Sequence, residues 1–100
     1  MDTKMQVLNL LGLARRAGKL TTGEELVVRA IQSDRVKLVF LASDASQNLT
    51  KKINDKAGNH QVSVSTIFSE SELSQAIGSA RKVVALLDLG FARKMEILMN

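Results

Sequence analysis

The chain has no cysteine, proline, tryptophan or tyrosine, and only one histidine, His60. Without thiols there is no disulfide, and a zinc site built from cysteine and histidine lacks its ligands. A cytoplasmic setting is expected, and no metal or cofactor site stands out. Phe40, Phe68 and Phe91 are the only aromatic residues, too few for the stacking platform that reads single-stranded nucleic acid. Proline, low-complexity tracts and repeats are all missing, so nothing divides the 100 residues. One domain over 1–100 is expected, with no room for a second core. No stretch approaches the ~20 apolar residues of a membrane span. The start, MDTKMQVLNL, lacks the basic-then-apolar pattern of a signal peptide.

What is present is a globular mixture, 45% apolar and 24% charged, far from a disordered composition. Fourteen basic residues against ten acidic ones leave a formal charge of +4. Such an excess serves solubility. It also favours a polyanionic partner, because each neutralised phosphate releases counterions.

Helical and extended patterns alternate along the chain. Residues 3–16 read as a helix: Thr3 can cap it, Leu8, Leu11 and Ala14 recur at helical spacing, and Gly18 suits the left-handed position beyond its end. Residues 19–22 form a short extended piece. Thr22-Gly-Glu-Glu25 matches a capping box, with the Thr22 hydroxyl accepting from the Glu25 backbone and the Glu25 carboxylate reaching back. It opens a helix over 23–33. VKLVFLA, 36–42, is apolar throughout, as in a strand buried on both faces. A polar loop leads into a helix over 47–57, ended by Gly58. VSVSTI, 62–67, alternates and predicts a strand with one less buried face. Ser69-Glu-Ser-Glu72 is a second capping box, opening a short helix to Ile77 that Gly78 stops. KVVALLD, 82–88, predicts another strong strand, and 90–99 a closing amphipathic helix. This order implies an α/β fold with helices on both faces of a small, mostly parallel or mixed sheet.

Three kinds of chemistry can be set against these residues. A nucleotide-phosphate loop fails on spacing: five residues separate Gly12 from Gly18, Lys19 is followed by Leu20, and no G-x-G-x-x-G exists. Acid–base catalysis has no constellation. His60 sits in a polar loop and reads as solvated, and Asp44 reads as a turn or helix-cap residue. Glu24 and Glu25 are adjacent on a helix, so their side chains diverge by about 100° and make no dyad. Polyanion binding fares better. Arg15 and Arg16 end the first helix, Lys19 follows, and Arg29 lies further along the second helix. These four can share one edge around Gly23. Helix-dipole compensation explains one or two of the cations, not the whole set. Lys51, Lys52 and Lys56 recur on one helix face and read as solvated charge.

The segments LLGLARRAGKL, GEELVVRAI, KLVFLASDAS and ARKVVALLDLGFARK together resemble the bacterial YlxQ-type proteins of the kink-turn-binding ribosomal protein superfamily. The resemblance spans essentially the whole chain, and GLARRAGKL-x-x-GEE with DAS is its most specific part. It implies a three-layer α/β/α sandwich around a four-stranded mixed sheet. It also implies a non-enzymatic protein, without cofactor, that binds structured RNA. In the RNA-binding members a Gly-x-Asn-Glu-x-x-Lys motif opens the second helix and reads guanines of sheared G·A pairs. Here the Gly falls on Gly23 and the Lys on Arg29, while the two base-reading positions carry Glu25 and Leu26. A second family loop, which packs on a base turned out of the helix, matches Ile77, Gly78, Ser79, Ala80 and Arg81.

The combined expectation is a monomer that binds structured RNA, kink-turn-like or ribosomal. The contacts would come from Arg15, Arg16, Lys19, Gly23, Glu24, Glu25 and Arg29 together with the second loop. The competing expectation is a protein–protein adaptor in the transcription or translation machinery with only weak RNA affinity.

Overall fold

The structure, a computed structural model, describes residues 2–100. Along the described chain the elements alternate as α1 (Thr3–Arg16), β1 (Leu20–Thr22), α2 (Glu24–Gln32), β2 (Leu38–Leu41), α3 (Gln47–Asn59), β3 (Ser63–Ser65), α4 (Glu70–Ile77), β4 (Val83–Leu86) and α5 (Leu89–Met99).

The four strands lie in the order β1-β4-β2-β3. β4 runs antiparallel to both β1 and β2, and β2 runs parallel to β3. β2 and β4 are wholly buried and take the two central places, as expected of runs with no polar face. The short, partly exposed LTT and SVS strands take the edges.

Alternate residues of the central strands face opposite layers. Leu38, Phe40, Val84 and Leu86 pack with α1, α4 and α5 through Val7, Leu11, Leu73, Ile77 and Met95. Within this layer the Phe40 and Phe68 rings lie 5.7 Å apart and tilted. Val39, Leu41, Val83 and Ala85 pack with α2 and α3 through Val27, Ile31, Leu49, Ile53 and Ala57. This is the three-layer α/β/α sandwich, with its four-stranded mixed sheet, that the sequence led us to expect. No described helix is long and apolar enough to cross a membrane.

Several helix ends differ from the sequence reading. α1 is capped by Asp2, whose carboxylate accepts from the Lys4 backbone at 2.9 Å, not by Thr3. α3 runs through Gly58 to Asn59, because Ile53 and Ala57 hold its last turns in the core. The reversal beyond it is made by Gln61, at φ +56. His60 is half-buried, and its Nδ1 lies 2.8 Å from Asp34 Oδ1, tying the end of α3 to the turn after α2. The capping box at Ser69 and Glu72 forms in full. Asp44 is a cap residue, but for α4: its carboxylate accepts from the Glu70 backbone at 2.9 Å. The strand expected over 82–88 stops at Leu86, because Asp88 turns to cap α5 by accepting from the Phe91 backbone at 2.9 Å.

Candidate nucleic-acid interface

β1 delivers the chain to the start of α2 through Gly23, whose backbone sits at φ +91 and ψ 150, open essentially only to glycine. The Gly23 N–H donates to the Val83 carbonyl at 3.1 Å, so this corner is pinned to the beginning of β4. The capping box expected from Thr22 and Glu25 does not form, and no side chain caps α2. The reason is register: Gly23, which has no side chain, is the N-cap, and Thr22 still belongs to β1. The Thr22 hydroxyl accepts instead from Arg81 Nε at 3.0 Å.

The two carboxylates of the first turn diverge, as their adjacency requires. Glu25 pairs with Arg29 one turn along the helix at 2.8 Å. Glu24 pairs with Lys52 of α3, also at 2.8 Å. Lys52 is therefore not merely solvated charge, contrary to the sequence reading. Each pair is exposed and contributes only about 0–1 kcal/mol, but together they match both negative charges at this corner. Leu26 lies beside them with 54% of its surface exposed.

The loop between α4 and β4 is held from three sides. Ser74 Oγ accepts from the Arg81 backbone N–H at 3.0 Å and reaches the Arg81 carbonyl at 3.3 Å. Arg81 Nη1 donates to the Ala80 carbonyl at 2.7 Å. Arg15 Nη1 donates to the Ile77 carbonyl at 2.6 Å and to Ser79 Oγ at 3.0 Å. The last turn of α1, the start of α2 and this loop therefore meet through two arginines.

The model of the ribosomal protein L7Ae/L30e/S12e/Gadd45 family matches residues 5–96. The chain belongs to that family. It is 47% identical over 97 residues to a protein named RNA-binding protein YlxQ from Enterococcus faecium, covering 97% of this chain and 94% of that one. A protein of the same name from Bacillus subtilis (strain 168) is 44% identical over 97 residues, covering 96% and 97%. The chain is also similar to the solved structure of a protein with unknown function from Bacillus halodurans C, with a TM-score of 0.90, 45% identity and coverage of 94% and 96%. The Giardia lamblia 15.5kD RNA binding protein shares the fold at a TM-score of 0.83 and 15% identity, covering 98% of this chain and 85% of that one.

Within this L7Ae-family fold the residues named from sequence do not all converge. Gly23, Glu24 and Glu25 sit together at the start of α2, with Arg29 of its last turn joined to them through Glu25 and Arg81 through Thr22. Lys19 stands at the other end of β1, where its carbonyl accepts from the Leu87 backbone at 2.8 Å. Three residues separate it from Gly23, four steps or about 13 Å of extended chain. Arg15 leaves the group of four around Gly23 and serves the α4–β4 loop. Ile77 offers no surface to a base, since its side chain is only 4% exposed and belongs to the core; its contribution is the carbonyl that Arg15 binds. Gly78 and Ala80 are exposed, and Ser79 is half-exposed. Among the described residues, Arg16, Lys19 and Lys82 are exposed and held by no other side chain. Sequence reasoning missed Ser74 and Lys52 and gave Thr22 a different role. All three act through partners distant in the chain or outside any spacing rule. No described group of three or more His, Cys, Asp or Glu side chains is arranged to hold a metal ion.

Proposed function

We propose that this chain is a non-enzymatic binder of structured RNA, ribosomal or kink-turn-like, working as a monomeric single domain in the cytoplasm. Its contact surface is the corner where the start of α2 meets the α4–β4 loop. The observation that carries this reading is the Arg81–Thr22 hydrogen bond. It fixes side by side the two segments that resemble the RNA-contacting parts of the family. The names of the Enterococcus and Bacillus relatives point the same way. Electrostatics supports it too: Glu24 and Glu25 are matched by Lys52 and Arg29, which leaves Arg16, Arg81 and Lys82 as cations for phosphate. Phosphate contacts of this kind position a protein on RNA, while contacts to bases specify the site.

At the base-reading positions Glu25 and Leu26 replace the polar pair of the kink-turn binders. The preferred RNA therefore differs from a standard kink-turn. Crosslinking in cells followed by sequencing of the bound RNA tests the reading. Enrichment of defined structured sites supports it. Titrations of such a site should show affinity falling steeply with salt, because counterions are released on binding. Weak, sequence-blind recovery would instead favour an adaptor that docks on proteins.

A further inference from the structure

An open groove of about 580 Å3 runs between α1 and α4, within the roughly 300–1,000 Å3 typical of small-ligand sites. Its floor is where Gly12 passes Ala76. A Cβ at Gly12 would stand 3.0 Å from the Ala76 carbonyl oxygen, so the glycine lets the helices approach to backbone distance. The groove has a chemical polarity. One end is rimmed by Arg15 and Arg16 in the last turn of α1. Arg15 is fixed there by the Ile77 carbonyl, whereas Arg16 is exposed and has no side-chain partner among the described residues. The other end holds Glu72, which is occupied by the capping box. Glu72 lies five residues before Ile77, about 7.5 Å along α4. Between the ends, Met5 (55% exposed) and Leu8 supply apolar surface, and Asn9 and Gln75 supply exposed amides.

Apolar surface, the amides of Asn9 and Gln75 and a cationic end match the parts of one nucleotide: flat base, polar base edge and phosphate. The cationic end is continuous with the α4–β4 loop through Ile77 and Gly78. We propose that the α1–α4 groove receives one unstacked nucleotide of the bound RNA, its phosphate on Arg16 and its base between Met5 and Gln75. This rests on the RNA-binding reading and adds to it a contact away from the α2 corner.

The test uses the 15N-labelled chain, titrated with adenosine 5′-monophosphate and, at the same ionic strength, with inorganic phosphate. The nucleotide should shift the backbone amides of Leu8, Gly12, Arg16 and Gln75, whereas phosphate should shift only the arginine end. Two charge-matched variants at exposed positions of α4 are then compared on transcribed ribosomal RNA. Gln75→Glu, inside the groove, should weaken binding at least five-fold. Ser71→Glu, outside it, should weaken binding less than two-fold. RNA binding with no nucleotide-induced shifts along the groove, or with equal losses from the two variants, overturns the groove assignment and leaves the α2 corner standing. Nucleotide shifts in a protein with no affinity for any structured RNA overturn both.

Discussion

Arg81 Nε donates to the Thr22 hydroxyl at 3.0 Å, so the residue that ends β1 and the residue that leads into β4 are held together. The α2 corner and the α4–β4 loop are thus joined by a side-chain hydrogen bond, and a change at Arg81 touches both. Arg81→Glu should reduce affinity for a structured RNA at least ten-fold. Lys56→Glu, the same charge change on α3, should cost less than three-fold. The measurement is a pair of titrations at fixed salt. Equal losses would indicate diffuse attraction to a positive protein without a defined contact surface.

Arg15 and Arg16 are neighbours in sequence with different roles. Arg16 is held by no other described side chain, so Arg16→Ala should flatten the log–log salt dependence of RNA binding by roughly one unit. Its melting temperature should hardly change. Arg15 makes a charged hydrogen bond to the carbonyl ending α4. Bonds of this kind contribute about 1.5–3 kcal/mol, reduced by exposure. Arg15→Ala should therefore cost about 1 kcal/mol, or roughly 4–8 °C in a domain of this size. Thermal melts of the two single variants separate the roles, and identical melts would show that the Arg15 bond contributes nothing.

The double variant Glu25→Asn with Leu26→Glu restores the polar pair of the kink-turn binders. Leu26 is more than half exposed, and Glu25 forms an exposed pair with Arg29, not a cap. The exchange should thus cost only about 0.3–0.5 kcal/mol from the lost helical pair. Each hydrogen-bonded base that the new side chains read is worth about 1–3 kcal/mol, by analogy with bidentate base readout. The variant should therefore bind a simple kink-turn RNA at least ten-fold more tightly than the wild type. If the wild type already binds that RNA at nanomolar concentration and the folded variant does no better, Glu25 and Leu26 do not set specificity.

Gly23 holds a backbone conformation that side-chain-bearing residues avoid. Gly23→Ala has open space for its methyl group, so any penalty is conformational. The expected loss is about 1–3 kcal/mol, read as a shift in the midpoint of urea unfolding with unchanged slope. RNA affinity should fall with it, because the same backbone sets the direction in which α2 leaves the sheet.

The same sequence pattern led to different outcomes at two helix starts. Ser69 and Glu72 form their capping box because both partners lie within one turn of each other and nothing else claims them. Thr22 and Glu25 have the same spacing, but Thr22 belongs to a strand and its hydroxyl is taken by an arginine 59 residues later. Element order, buried central strands and the two-faced sheet were legible, since they follow from periodicity and apolar runs. The candidate site was legible only as a list of cations. That Lys52 would meet Glu24 across 28 residues, or that Arg15 would leave Gly23 for the end of α4, depends on tertiary placement that no local spacing encodes. Ile77 shows the same limit in reverse: its position in a loop-like motif suggested surface, while packing against α1 and the sheet put it in the core.

The place of β4 between β1 and β2 bears on how the molecule comes into being. While the chain is being synthesised, α2, β2, α3 and β3 emerge with their own core partners, but β1 has no strand to join until Val83–Leu86 appear. α1 waits as well, since the helices that cover Val7, Leu11 and Ala14 are α4 and α5, the last two made. Domains of this size fold largely as units once their parts are available. Ser74, Ser79 and Arg81, which build the basic corner, all lie in the final third of the chain. A nascent chain therefore carries the arginines of α1 without the surface that organises them, and the proposed RNA corner is complete only with the last strand.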